Sequence, residues 1–271
     1  MPELPEVETT RRGLLPHVQG RCVVEISVHQ ARLRYLVPAD MAARLQNAHW
    51  VDIRRRAKYL LFDFTGGSVL VHLGMSGSLR IDDPAQPRRK HDHVCIRLDS
   101  GIVVRLHDPR RFGLMVWAGA EPLQHPLLDA LGPEPLEDAF SGAHLAAHAR
   151  VRKVSVKAYI MDQTVCVGVG NIYASEALFR AGIHPLRAAN RVSAMRYVAL
   201  ADAIRQILAQ AIDAGGTTLR DFLHADGNPG YFKQQLLVYG RSGEACRVCG
   251  NLIRNQIVAQ RNTFWCTHCQ R

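Results

Sequence analysis

The sequence predicts an α+β protein with a leading helix, a mainly β N-terminal half, a helical second half and a zinc-binding β-hairpin at the C-terminus. Three observations lead to this prediction. Short β-like runs of apolar residues fill the first half, helix-like periodicity follows residue 136, and two Cys-x-x-Cys pairs lie close to the end. Regular short strands with little helix between them are typical of an antiparallel sandwich or barrel.

The first predicted element is an amphipathic helix. Leu4, Val7, Leu14 and Leu15 are apolar positions with charged residues between them, and we expect the helix to end within 13–16.

The residues in front of this helix allow two interpretations. Pro2 and Glu3 suit a helix start, because proline fits the first turn and acids favour the positive end of the helix dipole. Alternatively, removal of Met1 leaves Pro2 with a free secondary amine, whose pKa near ~8 keeps a useful fraction nucleophilic. Such an amine attacks a carbonyl-like carbon to form an iminium, and Glu3 lies close enough to act as an acid or base.

The predicted strands are separated by turn residues, notably Gly66-Gly67 and Ser100-Gly101. The strands cover Val24–Val28, Tyr59–Phe64, Val69–Leu73, Val94–Leu98, Ile102–Leu106 and Leu114–Trp117.

The pattern changes from strand-like to helix-like at the segment Leu131–Leu136. Its prolines and glycine predict a stiff linker at a domain boundary. Beyond it the pattern is helical. Asn171 can cap a helix that stops at Gly182, and Ser193 can cap a longer helix that ends at 215–216.

Composition indicates a polyanionic partner. The formal net charge is +10, from 34 basic and 24 acidic residues, and these charges are spread through the sequence rather than gathered in a tail. This favours nucleic acid over a membrane surface. No apolar run reaches the ~18 residues that span a bilayer and no secretory signal is evident, so we expect a cytoplasmic protein without membrane contact.

The cysteines predict a metal site. Cys246, Cys249, Cys266 and Cys269 form two Cys-x-x-Cys pairs with sixteen residues between them, which suits a tetrahedral four-thiolate zinc site on a β-hairpin. Four thiolates leave no open position for water, so the one Zn²⁺ is expected to be structural. The alternative is four unligated or redox-active cysteines.

Several other motifs have both a functional and a structural interpretation. Lys58 follows a basic cluster and precedes an apolar run, so it lies either on a solvated face or on the floor of a cleft. Met75, Arg110 and Phe112 lie in predicted loops, either as core and surface residues or as wedges that fill the gap left by an extruded base. Gly168–Asn171 is either a phosphate site at a helix start or a simple turn.

The chain resembles bacterial formamidopyrimidine-DNA glycosylase along nearly its whole length. The resemblance is carried in order by PELPEVE, RRAKYL, HLGMSGS, KHDH, DPRRFG, LGPEPL, GVGNIYASE, AGIHP, GGTTLRDFLHADGNPGYF and CRVCG…AQRNTFWCTHCQ. The related endonuclease VIII type also begins with Pro-Glu, but the HLGMSGS and DPRRFG segments favour the formamidopyrimidine branch.

The resemblance implies a repair enzyme that flips oxidised purines, such as 8-oxoguanine and formamidopyrimidines, out of duplex DNA, removes them and then cuts the strand at the abasic site. It implies that Pro2 is the nucleophile, Glu3 the acid that opens the sugar, Lys58 the residue of β-elimination and Arg261 that of δ-elimination. The implied DNA-binding residues are His91, Arg110, Arg152, Met75, Phe112, Lys157 and Asn171. Glu6 and Glu176 match acids near the lesion, and Asp226–Phe232 matches the loop that covers the extruded base.

The implied architecture is a catalytic β-sandwich domain over 1–130, a linker and first helix over 131–150, a helix-two-turn-helix domain over 151–236 and a zinc finger over 237–271. The expected partner is lesion-bearing or abasic duplex DNA, bound by a monomer. Two sequence departures stand out, because Arg152 replaces a common lysine and Ala158 a common proline. The alternative functions are a non-catalytic zinc-ribbon DNA-binding protein and a glycosylase for oxidised pyrimidines.

Overall fold

The structure is a computed structural model that describes residues 2–216 and 232–271. It divides the chain into two units. The first unit contains residues 1–129 and 214–233, and the second contains 130–213 and 234–271. Residues 214–216, 232 and 233 therefore group with the N-terminal unit, although the sequence places all of 214–233 in the predicted helical domain.

The first unit is mainly β. Its elements are α1 (Leu4–Val18), β1 (Val23–Val28), α2 (Met41–Leu45), β2 (Trp50–Arg56), β3 (Tyr59–Phe64), β4 (Gly67–His72), β5 (Ser78–Asp82), β6 (Asp92–Leu98), β7 (Val103–His107), β8 (Leu114–Gly119) and α3 (Pro126–Asp129).

These strands form two four-stranded antiparallel sheets, with the orders β1-β6-β7-β5 and β2-β3-β4-β8. Their apolar faces share one core, in which Trp50 packs against Phe62 and Phe64 with ring centroids 4.7 and 4.8 Å apart. Val94 and Ile96 of the other sheet belong to the same core. The predicted sandwich is confirmed.

Helix α1 continues past its predicted end. Its buried residues Val7, Leu14 and Val18 join the sandwich core, and Val18 is reached only because the helix passes through Pro16. The prediction of an end at 13–16 was wrong because proline is a poor marker where tertiary packing favours one more turn. The backbone N–H of Gln19 donates to the Leu15 carbonyl at 3.1 Å and completes the helix.

The second unit is helical apart from its final hairpin. Its elements are α4 (Gly142–Ala149), α5 (Val156–Ile160), α6 (Asn171–Arg180), α7 (Ala194–Asp213), β9 (Ile253–Val258) and β10 (Arg261–Cys266). Helix α7 packs against α4 and α6. No helix within the described residues is both long and apolar enough to cross a membrane.

Two local features of the second unit complete the fold. Gly170, not Asn171, is the N-cap of α6, so the predicted cap was one residue late and the Asn171 side chain has another role. Strands β9 and β10 pair antiparallel from Arg261 opposite Val258, and they are joined by a two-residue turn with φ of 47° and 60° at 259–260. Positive φ at both central residues is the geometry that tight hairpins prefer.

Candidate active site and DNA-binding residues

The N-terminus of α1 presents Pro2 and Glu3 in a fixed arrangement. Pro2 is buried, Glu3 is the N-cap, and Glu3 and Glu6 are both almost fully buried. The backbone N–H of Glu3 donates to Glu6 Oε2 at 2.9 Å, as one half of a capping box. The helix-start interpretation is therefore confirmed, and it is compatible with the second interpretation, in which Pro2 is a nucleophile and Glu3 an acid or base.

Gly216 lies beside Glu6 within the first unit. A Cβ added to Gly216, whose φ is +79°, would stand 3.2 Å from Glu6 Oε1. The buried Phe232 donates its backbone N–H to the Gly216 carbonyl at 3.1 Å. Of the predicted base-covering loop Asp226–Phe232, Phe232 is thus placed near Glu6, and 226–231 lie outside the described residues.

Lys58 lies in a two-residue turn between β2 and β3, where Arg56 pairs with Tyr59. Ala57, the first residue of the turn, has a left-handed φ of 54°. Lys58 is only 7% exposed, so the solvated-face interpretation is wrong. The Lys58 side chain is therefore buried at this turn.

His72 is a neighbour of Lys58 that the sequence did not single out. Burial, together with the nearby charges of Lys58 and Arg34, lowers the pKa of His72 to about 4. Its Nδ1 accepts from the backbone N–H of Gly74 at 2.9 Å, so the neutral ring carries its proton on Nε2. The sequence around His72 gives no signal that the ring is neutral or that it accepts a hydrogen bond from Gly74.

The loops that carry Met75, Arg110 and Phe112 lie against each other. A Cβ on Gly74 would stand 2.4 Å from the Phe112 carbonyl carbon, so the two backbones are in direct contact. Arg110 Nε donates to Ser76 Oγ at 3.2 Å, and its guanidinium lies 6.0 Å from the Phe112 ring centroid. Phe112 is 49% exposed, so it is not a core residue. The loops therefore bring the exposed Arg110 and Phe112 together, and they place the half-buried Met75 next to the point of backbone contact.

Asp108 supports both this cluster and His91. It is fully buried, and its Oδ2 accepts from the Gly113 N–H at 2.7 Å. Its own N–H donates to the His91 carbonyl at 3.0 Å, and its carbonyl accepts from His93 Nε2 at 2.8 Å. His91 itself remains partly exposed. Asp108 was absent from the predicted site, because a buried carboxylate acting on backbone leaves no pattern in sequence.

A second buried acid stabilises the strands behind His91. Asp92 accepts from Arg80 Nη2, from the backbone N–H of Arg89 and from His107 Nδ1, each at 2.8 Å. Burial alone would raise the pKa of Asp92, but these partners hold it well below its usual range. The carboxylate is charged, and its role is to fix the strand ends.

In the second unit, Lys157 lies at a junction between helix and hairpin. Its side chain is 2% exposed, and Nζ donates to Asn171 Oδ1 at 2.5 Å and to Thr263 Oγ1 at 2.7 Å. Asn171 Nδ2 in turn donates to the Asn262 carbonyl at 3.0 Å. The resemblance implies DNA contact for Lys157 and Asn171; the structure brings the two together and hydrogen-bonds both to the residues that follow Arg261.

Arg261 and Arg152 are both exposed. Arg261 is the first residue of β10, and Arg152 follows α4. Exposed guanidinium groups at element ends suit phosphate contact, since Arg matches phosphate in a two-pronged geometry.

Glu176 is almost fully buried on α6, and its carboxylate is occupied by backbone. Oε2 accepts from the N–H of Leu237, and Oε1 accepts from Val238 and Tyr239, all at 2.8 Å. Burial raises the pKa of Glu176 against the opposing effect of these three hydrogen bonds. This arrangement anchors the chain that leads into the hairpin.

The four cysteines meet at the end of this unit. Their Sγ atoms all lie within 4.8 Å of one another, with Cys249 3.4 Å from Cys266 and Cys246 4.0 Å from Cys269. A tetrahedral site with Zn–S bonds of about 2.3 Å places sulfurs about 3.8 Å apart, so the donor set fits zinc. The shortest Sγ separation of 3.4 Å far exceeds the about 2.05 Å of a disulfide. The cysteines form a metal-binding site.

Comparison with known proteins matches the chain in three parts. Residues 1–115 match the formamidopyrimidine-DNA glycosylase N-terminal domain, 131–223 the formamidopyrimidine-DNA glycosylase H2TH domain, and 243–271 a zinc finger found in FPG and IleRS. A formamidopyrimidine-DNA glycosylase of Methylococcus capsulatus is 56% identical over 271 residues, covering 100% of both chains.

Two solved structures of Lactococcus lactis proteins show the same fold. An FPG mutant in complex with a Fapy-dG containing DNA has a TM-score of 0.94 and 33% identity, covering 100% of both chains. An Fpg in complex with an abasic site containing DNA has a TM-score of 0.93 and 33% identity, covering 99% of both chains.

Proposed function

Because the chain belongs to the formamidopyrimidine-DNA glycosylase family, and is thus a DNA-repair glycosylase with abasic-site lyase activity, we propose that it removes oxidised purines from duplex DNA through Pro2. The observation that carries this proposal is the burial of Pro2, Glu3 and Glu6 at one helix N-terminus, with Lys58 buried in the same unit. Removal of Met1, which lies outside the described residues, is required to free the Pro2 amine.

In the proposed reaction, the Pro2 nitrogen bonds to C1′ of the extruded nucleotide while the bond from C1′ to the damaged base breaks. Glu3 protonates the sugar ring oxygen, the ring opens, and an iminium joins Pro2 to C1′. The iminium acidifies the C2′–H, and loss of that proton expels the 3′-phosphate. A second elimination expels the 5′-phosphate. We assign the first elimination to Lys58 and the second to Arg261.

Recognition of the DNA is assigned to three groups of residues. Met75, Arg110 and Phe112 fill the gap left by the extruded base, which offsets the few kcal/mol that unstacking costs. His91, Arg152 and Asn171 contact the DNA backbone, with Lys157 holding Asn171. Glu6 faces the lesion beside Gly216 and Phe232, and Glu176 acts from further away by holding the finger segment.

The finger is proposed to hold one structural Zn²⁺ through Cys246, Cys249, Cys266 and Cys269. The metal would stabilise the short hairpin, because zinc binding to such sites contributes on the order of 10–16 kcal/mol. Four thiolates would fill the coordination sphere and leave no position for a catalytic water. The finger is therefore proposed to contribute by positioning Arg261 on its hairpin, not by metal chemistry. The protein is proposed to act as a monomer on duplex DNA.

Borohydride trapping on abasic duplex DNA tests the proposal. The processed protein is expected to give a covalent DNA adduct, whereas an N-terminally extended form gives none because its Pro2 nitrogen is an amide. Pro2→Gly keeps a primary amine and should trap more slowly. Absence of an adduct with the processed protein refutes Pro2 catalysis and favours a non-catalytic DNA-binding protein.

The substrate assignment needs a separate measurement. Duplexes with 8-oxoguanine and with an oxidised pyrimidine are offered together, and preferential excision of the purine is expected. A strong preference for the pyrimidine contradicts the assignment while leaving the Pro2 chemistry intact.

A further inference from the structure

The carboxylate of Glu8, on helix α1, accepts hydrogen bonds from three guanidinium groups. Oε1 accepts from Arg11 Nη2 at 2.8 Å and from Arg12 Nε at 2.9 Å, and Oε2 accepts from Arg55 Nε at 3.2 Å. Glu8 is 8% exposed. Burial alone would raise the pKa of Glu8, but the hydrogen bonds from Arg11 and Arg12 outweigh it and the pKa is lowered. The group is therefore a buried anion.

Arg55 extends this contact to the turn that carries Lys58. Its Nη1 donates to the Ala57 carbonyl at 3.0 Å. That carbonyl belongs to the peptide plane between Ala57 and Lys58, and Ala57 holds a left-handed φ of 54° that non-glycine residues adopt only at a cost. The guanidinium thus fixes the peptide whose orientation sets the direction of the Lys58 side chain.

Arg55 is not needed to neutralise Glu8. Arg11 and Arg12 lie three and four residues further along the same helix and already form ion pairs with it. The link to Arg55 spans 47 residues and joins α1 to the β2–β3 turn. A cluster that served helix stability alone would not require this connection.

We propose that Glu8 is a positioning residue for Lys58, acting through Arg55 to hold the Ala57–Lys58 turn against the helix that begins at Pro2 and Glu3. The inference rests on the proposed function, because it takes Lys58 as the residue of β-elimination. Its consequence is that Glu8 supports the elimination step more than formation of the Pro2 iminium.

Glu8→Gln tests this on a duplex with a preformed abasic site. Single-turnover strand cleavage is expected to slow by about tenfold or more, since misplacing a catalytic group by about 1 Å can cost about 100-fold. The defect should appear in the maximal single-turnover rate constant, with the half-saturating protein concentration changed by less than about twofold. Borohydride trapping of the iminium should stay near the wild-type yield.

Two further variants separate positioning from a general loss of structure. Arg55→Lys keeps an ion pair with Glu8 but cannot also reach the Ala57 carbonyl, so it should share the elimination defect. Asp40→Asn is the matched control, because it removes the carboxylate partner of Arg44 at 2.6 Å on α2, away from the turn, and should cleave like wild type. The Glu8→Gln/Arg55→Lys double variant should be no slower than the slower single variant.

Three results overturn the inference. One is a normal elimination rate in Arg55→Lys. Another is an equal loss of trapping and cleavage in Glu8→Gln, which would mean that Glu8 merely secures α1. Additive defects in the double variant are the third. Failure of the wild type to trap is a different result, since it overturns the proposed function and this inference with it.

Discussion

Substitution of Gly74 by alanine tests how the wedge cluster is built. Gly74 precedes Met75 and lies against the backbone of the loop that carries Arg110 and Phe112. An added Cβ would stand 2.4 Å from the Phe112 carbonyl carbon and 2.5 Å from the Gly113 nitrogen. Ordinary contact begins at 3.4 Å, so the Phe112–Gly113 backbone must move by about 1 Å to accept it.

The expected cost has two parts. Gly74 has a φ of +64°, and a left-handed backbone costs a non-glycine residue about 1–2 kcal/mol. Forcing a methyl group into packed structure adds about 1–3 kcal/mol. Gly101→Ala is the matched control, because its φ is +81° but its Cβ would meet nothing within 4 Å. It should lose about 1–2 kcal/mol, and Gly74→Ala about 2–5 kcal/mol.

Urea denaturation measures the free energy of unfolding of both variants. Excision is then compared at a temperature where both remain folded, on a lesion duplex and on a duplex with a preformed abasic site. Gly74→Ala should slow lesion excision more than abasic-site cleavage, because a displaced Phe112 fills the helix gap less well and the paired base resists extrusion more. Equal stability of the two variants, or equal loss on both substrates, would refute this account of the cluster.

Three further predictions concern charge and metal. Because the pKa of His72 is about 4 in the folded state and near 6.5 when unfolded, the unfolded chain binds the extra proton, so stability should fall by up to about 3 kcal/mol as pH drops from 6.5 to 4. His72→Asn keeps an acceptor for the adjacent N–H and should flatten that part of the urea-midpoint profile; an unchanged slope contradicts the assignment. Cys249→Ser should lose zinc, measured by metal analysis, and bind duplex DNA more weakly, whereas unchanged affinity without zinc would show that the finger needs no metal to act. Glu176→Gln should destabilise the second unit by about 2–3 kcal/mol, because charged hydrogen bonds to backbone are lost; the exposed Glu244→Gln serves as its control and should unfold like wild type.

The features that could be predicted from the sequence were those determined by residues close together in the chain. Short β-like runs bounded by turn residues placed six of the eight sandwich strands, such as Tyr59–Phe64, because the signals that begin and end such a strand lie in the segment itself. Cysteine spacing predicted the metal site for a similar reason, since four thiolates can converge only if the hairpin brings the pairs together. All four candidate metal ligands lie within this one C-terminal segment, so their spacing alone indicates the site.

The remaining features depend on partners distant in sequence. His72, Asp108 and Glu8 acquire their roles from groups on other elements, and nothing in their own neighbourhood distinguishes them from surface residues. The strand at Ser78–Asp82 was missed because it contains only two apolar residues, Leu79 and Ile81, and because the buried Arg80 between them is neutralised partly by Asp92 on another strand. Asn171 was taken for a helix cap because the lysine that engages it lies on another helix.

The path of the chain limits how this protein can be recombined with its relatives. It leaves the first unit after residue 129, re-enters it at 214 and departs again after 233. A hybrid made with a single crossover near residue 130 would join one parent's Glu6 to the other parent's Gly216 and Phe232, which belong to the same unit. A hybrid that exchanges whole units must transfer 214–233 together with the N-terminal part, and therefore needs three junctions instead of one.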